Sequence, residues 1–145
     1  MPQSQPPARP PIGLQLTRTA HAATQAFERA LAQAGGSVSA WQVLLLVRTG
    51  QFGTQSKLAE TLGLTRATMT HHLNGLERQG LVRRWREEDN RRVQRVALTD
   101  DGEALFERLR EVAVEHDARL RRYLDDEEVA QLSDLLGKLQ AGLDA

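Results

Sequence analysis

The sequence predicts a mainly α protein with a small β-wing, an α+β class in which a winged helix-turn-helix core is flanked by N- and C-terminal dimerisation helices. Two features in the middle of the chain carry this prediction. The segment QSKLAETLGLTRATMTHHLNGLERQG is typical of a short helix, a tight turn around Gly63 and a second helix. The segment that follows, LVRRWREEDNRRVQRVAL, is typical of two strands around a polar tip, the pattern of a β-hairpin.

Two elements are predicted before this core. Residues 1–11 contain five prolines and are predicted to be a disordered arm, because MPQSQPPARPP offers too few apolar side chains to bury. In residues 12–36, apolar side chains recur at three- and four-residue steps from Leu16 through Phe27 until Gly35-Gly36 ends the pattern. This periodicity predicts the N-terminal dimerisation helix.

The core is predicted to occupy residues 37–99, with wing strands at residues 81–86 and 93–98. Its first helix is expected to begin with a capping box between Ser39 and Gln42, since a serine followed three residues later by glutamine can satisfy two backbone N–H groups. The core therefore begins shortly after the paired glycines.

Threonines and glycines delimit the helix-turn-helix pair. After a turn predicted over residues 50–53, Thr54 is expected to cap the first helix, which ends at Gly63. Thr65 is expected to cap the second helix, which ends at Gly80. The predicted turn between the helices is therefore very short.

Residues 100–145 are predicted to form the C-terminal dimerisation helices. Thr99 is followed by acidic residues, which favour the start of a helix, and Asp125 with Glu128 forms a further capping-box pattern. A core of this size cannot cover three long amphipathic helices, so a second copy of the chain is expected to cover them. The sequence thus predicts a homodimer with two-fold symmetry.

Charge is unevenly distributed along the chain, although the formal net charge is zero. Residues 48–99 carry ten Lys/Arg and five Asp/Glu, a net of +5, whereas residues 100–145 carry six Lys/Arg and thirteen Asp/Glu, a net of −7. A positive helix-turn-helix and wing favour contact with phosphates, and the acidic remainder favours an orientation away from them. The distribution indicates double-stranded DNA as a partner.

Composition and motifs argue against several other classes of protein. The chain has no cysteine, which excludes disulfides, thiolate metal sites and thiol redox switches. It shows neither a long apolar run nor a secretory signal pattern, so the protein is predicted to be cytoplasmic with no membrane partner. We find no nucleotide-binding glycine motif and no nucleophile elbow, so neither an enzyme nor a cofactor is predicted.

The second helix of the pair has one apolar and one polar face. With Met69 at the centre of the buried stripe, helical geometry places a polar set on the opposite side. Amide, imidazole and hydroxyl groups can contact base edges in a major groove, and arginine can hold a phosphate. A metal site at His71-His72 is disfavoured, because adjacent helical side chains point about 100° apart. The residues on this side are Ala67, His71, Asn74 and Arg78, and Thr68 and Thr70 flank them.

The predicted wing tip carries a cluster of arginines. Arg91 and Arg92, between Asp89 and Arg95, can lie along or in a minor groove, which attracts cations most where it is narrow. Asp89 is expected to orient one of these arginines. A charged loop that only maintains solubility is the alternative interpretation.

Residues 38–102 resemble the MarR family of bacterial regulators. The matching stretches are VSAWQVLLLV, QSKLAETLGLTRATMTHHLNGLERQGLV and EEDNRRVQRVALTDDG, and the helical flanks fit the dimerisation region of that family. The resemblance implies a homodimer that binds a pseudo-palindromic operator, typically represses, and is released by a small, often phenolic or aromatic, effector. The absence of cysteine excludes the peroxide-sensing branch of the family.

Carried over residue by residue, the recognition helix of the family maps onto Thr65 to Gln79 and its minor-groove arginine onto Arg91 or Arg92. His71 stands where many members have arginine, and His72 stands where an apolar residue is usual. These departures put the operator preference of the family in question for this chain. The positions that contact bases and phosphates in the family fall on Arg66, Thr68, Thr70, His71 and Asn74.

Effectors of the family commonly sit in the crevice between the dimer helices and the winged core. The resemblance implies that His21, Trp41 and His116 lie near this region. Each also has a structural interpretation, Trp41 as part of a buried face and the histidines as interface residues. A metal site formed by the two histidines and a carboxylate is a minor alternative, and no metal is predicted.

The predicted function is that of a MarR-type transcriptional regulator, a repressor that binds its operator as a homodimer. The alternative is a dimeric winged-helix protein-interaction module without operator specificity, which would not need basic residues on both the helix and the wing. The complete set of predicted DNA-binding residues is Thr65, Arg66, Thr68, Thr70, His71, Asn74, Arg78, Arg91, Arg92 and Arg95.

Overall fold

The computed structural model describes residues 8–50 and 54–145. Most of the arm predicted over residues 1–11 and most of the turn predicted over residues 50–53 lie outside the described residues. The predicted class, mainly helical with a small two-stranded wing, is confirmed. The elements in chain order are α1 (Ile12–Gln33), α2 (Val38–Arg48), α3 (Gln55–Leu62), α4 (Arg66–Arg78), β1 (Val82–Arg86), β2 (Gln94–Leu98), α5 (Asp100–Leu120) and α6 (Asp126–Asp144).

The chain divides into two compact units, Met1–Val112 and Ala113–Ala145. The first unit holds α1 to α4, the sheet and the beginning of α5, and the second holds the rest of α5 and α6. Within the described ranges no single helix is long and apolar enough to cross a membrane, and α1 and α2 meet that test only as a pair bent by 78°.

The first unit is built around one apolar core. Leu44 of α2, Leu58 of α3, Leu73 of α4 and Leu109 of α5 are fully buried, and Val96 of β2 closes the core from the sheet. Because α2 packs against α3, α4 and β2, this helix forms the centre of the unit. The helix-turn-helix pair and the wing therefore pack against the same apolar core.

The predicted threonine caps of the helix-turn-helix pair are confirmed. The hydroxyl of Thr54 accepts a hydrogen bond from the backbone N–H of Lys57 at 3.3 Å, and the hydroxyl of Thr65 accepts one from the N–H of Thr68 at 3.1 Å. Gly63 ends α3 in the left-handed conformation, with φ 66°, as the glycine rule predicts. Local chemistry thus defines the turn between α3 and α4.

The predicted start of α2 is wrong by two residues. Ser37, not Ser39, is the N-cap, since its side chain accepts from the N–H of Ala40 at 3.1 Å. Ser39 already lies in the first helical turn, so it does not form the expected capping box with Gln42. The cause lies in the preceding turn, where the N–H of Gly36 bonds back to the last turn of α1 at 2.8 Å and positions the chain to begin a helix directly after Ser37.

The wing is an antiparallel hairpin in which Val82 of β1 pairs with Leu98 of β2. Each strand begins one residue later than predicted. The hydroxyl of Thr99 donates to the carbonyl of Gly80 at 2.5 Å and accepts from the N–H of Gly102 at 3.1 Å. Thr99 therefore caps α5 and also links the start of this helix to Gly80, which follows the end of α4.

Apolar side chains are exposed along the terminal helices. In the first unit, α1 exposes Ile12, Leu14 and Leu16. In the second unit, the predicted capping box between Asp125 and Glu128 is confirmed and opens α6. The exposed leucines of α6 are Leu132, Leu135, Leu136, Leu139 and Leu143.

Candidate nucleic-acid interface

The recognition helix α4 turns a polar face to solvent. Its apolar face, formed by Met69, Leu73 and Leu76, is buried as the helical periodicity predicts. Because this buried face fixes the rotation of the helix on the core, the opposite face is presented in one orientation. The predicted DNA-facing residues that are exposed on α4 are Arg66, Ala67, Thr68, His71, Asn74 and Arg78.

The threonine hydroxyls around α4 already make contacts within the protein. Gln55 of α3 donates from Nε2 to the half-buried hydroxyl of Thr70 at 2.9 Å. The hydroxyl of Thr65 donates to that of Thr68 at 2.9 Å. A hydroxyl group can donate one hydrogen bond and accept others. The hydroxyls of Thr68 and Thr70 act here as acceptors, so each can still donate a hydrogen bond to DNA. The hydroxyl of Thr65 already donates its hydrogen bond to Thr68.

Asn74 is held by Arg84 of β1, a residue that was not predicted from the sequence to take part in this site. The Nη2 of Arg84 donates to Oδ1 of Asn74 and lies 3.2 Å from Oε1 of Glu77. Only 11% of the Arg84 side chain is exposed. Strand alternation offered a signal, because Arg84 shares the face of buried Val82 and an arginine on that face needs a carboxylate partner.

We expect this cluster to make the stability of the protein depend on pH. The hydrogen bond from Arg84, with its positive charge, lowers the pKa of Glu77 below the ordinary value of 4.5, against the opposing effect of partial burial. A lowered pKa in the folded state means that ionised Glu77 stabilises the protein above its unfolded-state pKa, and that this contribution is lost as the pH falls through the folded-state pKa.

We therefore expect Glu77→Gln to be less stable than the wild type at neutral pH, with a difference that shrinks below pH 4.5. Urea unfolding of both proteins from neutral pH to about pH 3 measures this difference. Glu88→Gln, which removes a carboxylate from the exposed wing, controls for the loss of charge. A difference that stays constant across the range would contradict the assignment.

The backbone of the wing tip is braced by hydrogen bonds. Arg86 donates from Nη1 to the carbonyl of Arg91 at 2.8 Å. The side chain of Asn90 accepts from the N–H of Arg92 at 3.2 Å, and the carbonyl of Asn90 accepts from the N–H of Val93 at 3.0 Å. The tip therefore presents the exposed side chains of Arg91 and Arg92 from a braced loop. The bracing roles of Arg86 and Asn90 were not predicted from the sequence.

Arg95 occupies a different position from the other wing arginines. It lies on β2, is half-buried, and forms an ion pair with Glu87. Thr54 forms a backbone bridge with it, so this part of the wing adjoins the start of α3. The ion-pair partner of Arg95 is therefore Glu87 and not Asp89.

A shallow cleft of about 180 Å³ lies between the start of α2 and the face of α4. Ser37 and Ser39 line it from α2, and His71, His72 and Arg78 line it from α4. A helix N-terminus favours negative charge, and guanidinium and imidazole groups supply further hydrogen-bond donors. The cleft therefore extends the surface of α4 that is suited to phosphate groups.

The three side chains predicted near an effector have different environments. Trp41 is half-buried in the first unit and stacks on Phe106, with 5.6 Å between ring centroids, while the guanidinium of Arg48 lies 5.9 Å from the same Phe106 ring. His21 is exposed on α1, and His116 is half-buried on α5 in the second unit. Across residues 8–50 and 54–145 no three His, Cys, Asp or Glu side chains are grouped in a way that could hold a metal ion.

The sequence is similar to known transcriptional regulators. A family model described as MarR family matches residues 37–93. The chain is 34% identical over 88 residues to the HTH-type transcriptional regulator PecS of Dickeya dadantii (strain 3937), a match that spans 61% of this chain and about half, 53%, of PecS. It is 32% identical over 104 residues to the HTH-type transcriptional regulator YhbI of Bacillus subtilis (strain 168), covering 70% of this chain and 68% of YhbI.

The fold is also similar to solved structures. One is the transcriptional repressor CouR bound to a 23-mer DNA duplex, with a TM-score of 0.79 and 29% sequence identity over 90% of this chain and 92% of CouR. The similarity extends well beyond the region that the family model matches. Together with the winged helix-turn-helix core, these matches show that the chain belongs to the MarR family and is a transcriptional regulator, not an enzyme.

Proposed function

We propose that this regulator binds a pseudo-palindromic DNA operator as a homodimer and represses transcription from it in the cytoplasm. The observation that carries the proposal is the joint exposure, in one unit, of the polar face of α4 and the arginines of the wing tip. The repressor CouR, which has a similar fold, is bound to DNA in its solved structure. In this proposal residues 37–99 form the DNA-binding core.

On DNA, α4 enters a major groove and the wing reaches the neighbouring minor groove. His71 and Asn74 face base edges, while Arg66 and Arg78 hold phosphates on either side of the groove. Arg91 extends from the wing tip towards the minor groove, where the negative potential is strongest when the groove is narrow. These proposed roles are supported by the exposure and chemistry of each side chain and by the resemblance to the family.

Residues 12–36 and 100–145 form the dimer interface in this proposal. The support is the row of exposed leucines on α6 and the apolar residues exposed at the start of α1, since exposed apolar rows on amphipathic helices mark interaction surfaces. A two-fold axis then places the two copies of α4 in successive major grooves, about 10 bp apart. An operator with two inverted half-sites matches this symmetry.

A small aromatic or phenolic effector would release the DNA by favouring a dimer with a different spacing between the recognition helices. For this it is enough that the effector binds the dimer with the altered spacing more tightly than it binds the dimer conformation that binds DNA. We place His21, Trp41 and His116 near this effector on the basis of the family resemblance. The stacking of Trp41 on Phe106 provides an aromatic surface in the first unit.

A titration of the purified protein with DNA tests the proposal. A fluorescent duplex from the upstream intergenic region of its own gene is compared with a scrambled duplex at two salt concentrations. We expect preferential binding of the native duplex with two chains per duplex, and weaker binding at the higher salt concentration. Equal, salt-sensitive binding of both duplexes would contradict operator recognition, and no binding would favour the protein-interaction module.

A further inference from the structure

The side-chain amide of Asn74 is oriented by Arg84. A guanidinium group has five N–H donors and no acceptor, so the atom of Asn74 that faces it must be the amide oxygen. The structure places Oδ1 of Asn74 in a hydrogen bond with Nη2 of Arg84. The amide nitrogen, on the other side of the same planar group, makes no hydrogen bond to another described residue.

Arg84 is itself held in place, so it can impose this orientation. Its Nη2 lies 3.2 Å from Oε1 of Glu77 and its Nε lies 3.5 Å from Oε2, which gives the guanidinium two contacts with one carboxylate. The Arg84 side chain is largely buried, whereas Asn74 is exposed on the outer face of α4. The amide oxygen is therefore turned towards the protein, and the amide nitrogen is available to DNA.

The orientation matters because adenine and guanine present different major-groove edges. Asparagine reads adenine by accepting from N6 and donating to N7, which requires both amide atoms at the base. Guanine presents two acceptors, O6 and N7, and a group that only donates suits it better. An asparagine whose oxygen is turned towards Arg84 cannot bring both amide atoms to the base edge, and therefore loses its usual advantage with adenine.

We propose that Arg84 is a positioning residue for specificity: by holding the oxygen of Asn74, it makes the protein prefer guanine over adenine at the base that Asn74 faces. The inference rests on the proposed operator binding. Arg83 provides a matched control on the same strand, because its guanidinium lies 4.8 Å from the ring centroid of exposed Trp85 and it makes no hydrogen bond to Asn74.

The test begins with the operator duplex and all four base pairs at each position of one half-site. The base pair read by Asn74 is the position at which Asn74→Ala loses discrimination. There we expect the wild type to bind guanine at least about fivefold more tightly than adenine. Arg84→Met should lose or reverse this preference at that position alone, while Arg83→Met, which removes the same charge, should keep it.

Several results would overturn the inference. These are a wild-type preference for adenine at that base pair, an equal change of preference in Arg84→Met and Arg83→Met, or an Asn74→Ala variant that keeps every preference. If Arg84→Met does not fold, Glu77→Gln replaces it, because it removes the carboxylate that holds Arg84 and should weaken the guanine preference. If the wild type binds the operator specifically but does not prefer guanine at this base pair, only the role of Arg84 is refuted. If the wild type prefers no duplex at all, the proposed function is refuted too.

Discussion

Gly102→Ala is expected to lower the free energy of unfolding by about 3 kcal/mol, because the site has no room for a methyl group. A Cβ at this position would lie 2.0 Å from the carbonyl oxygen of Leu81 and 3.4 Å from Cβ of Leu98. The Leu81 carbonyl cannot easily turn away, since it accepts the N–H of Thr99 at 3.1 Å. The start of α5 would therefore have to move away from the base of the wing.

Thermal or urea unfolding of Gly102→Ala measures this effect. Gly75→Ala is the matched control, because Gly75 lies inside α4 and an added Cβ would meet nothing within 4 Å. We expect that control to be neutral or more stable by up to about 1 kcal/mol, since alanine favours helix more than glycine does. Wild-type stability in Gly102→Ala would show that the start of α5 can move away from the carbonyl of Leu81 at little cost.

Local sequence rules predicted the ends of most helices in the core. The caps at Thr54 and Thr65 and the left-handed Gly63 depend on contacts within a few residues, so the local pattern was sufficient. The start of α2 was not predictable in this way, because Ser37 and Ser39 are both suitable N-cap residues and the capping-box pattern with Gln42 favoured Ser39. The choice of Ser37 follows the turn at Gly36, which packs so closely that an added Cβ would lie 2.6 Å from Cδ2 of Leu109.

The exposed face of α4 could also be predicted, because helical periodicity alone separates its buried and polar sides. The hydrogen-bonding state of that face could not, since the partners come from other elements. Gln55 reaches Thr70 from α3, and Arg84 reaches Asn74 from β1. The role of Gly102 could not be predicted either. The sequence shows only a residue that disfavours helix, whereas the structure shows that the carbonyl of Leu81 leaves no room for a side chain there.

The double substitution Arg91→Ala/Arg92→Ala is expected to weaken operator binding at least about tenfold, because charge-assisted contacts of this kind contribute strongly. Both side chains are exposed at the wing tip, and neither forms an ion pair with another described residue. The hydrogen bonds that brace the tip at these two residues use their backbone atoms, which alanine retains. The loss should therefore come from contacts with DNA and leave the wing intact.

Salt dependence tests whether those contacts are with phosphates. Each lost phosphate contact should lower the slope of log K against log salt by about 0.9, and each counts twice in a dimer with two wings. The affinities of the variant and the wild type should thus converge as salt rises. Arg9→Ala removes an exposed positive charge outside the proposed DNA-binding core and the proposed dimer helices, and should leave the slope unchanged. Parallel lines for wild type and wing variant would contradict the wing assignment.

The same pair of proteins can locate the wing on the duplex. A narrow, A·T-rich minor groove concentrates negative potential, so an arginine inserted there loses affinity when the groove is widened by G·C pairs. An arginine that lies along the backbone does not distinguish the two sequences. If replacement of A·T by G·C pairs beside the half-site weakens the wild type more than Arg91→Ala/Arg92→Ala, the wing arginines enter the groove, and the sequence beside the half-site contributes to operator choice through its shape.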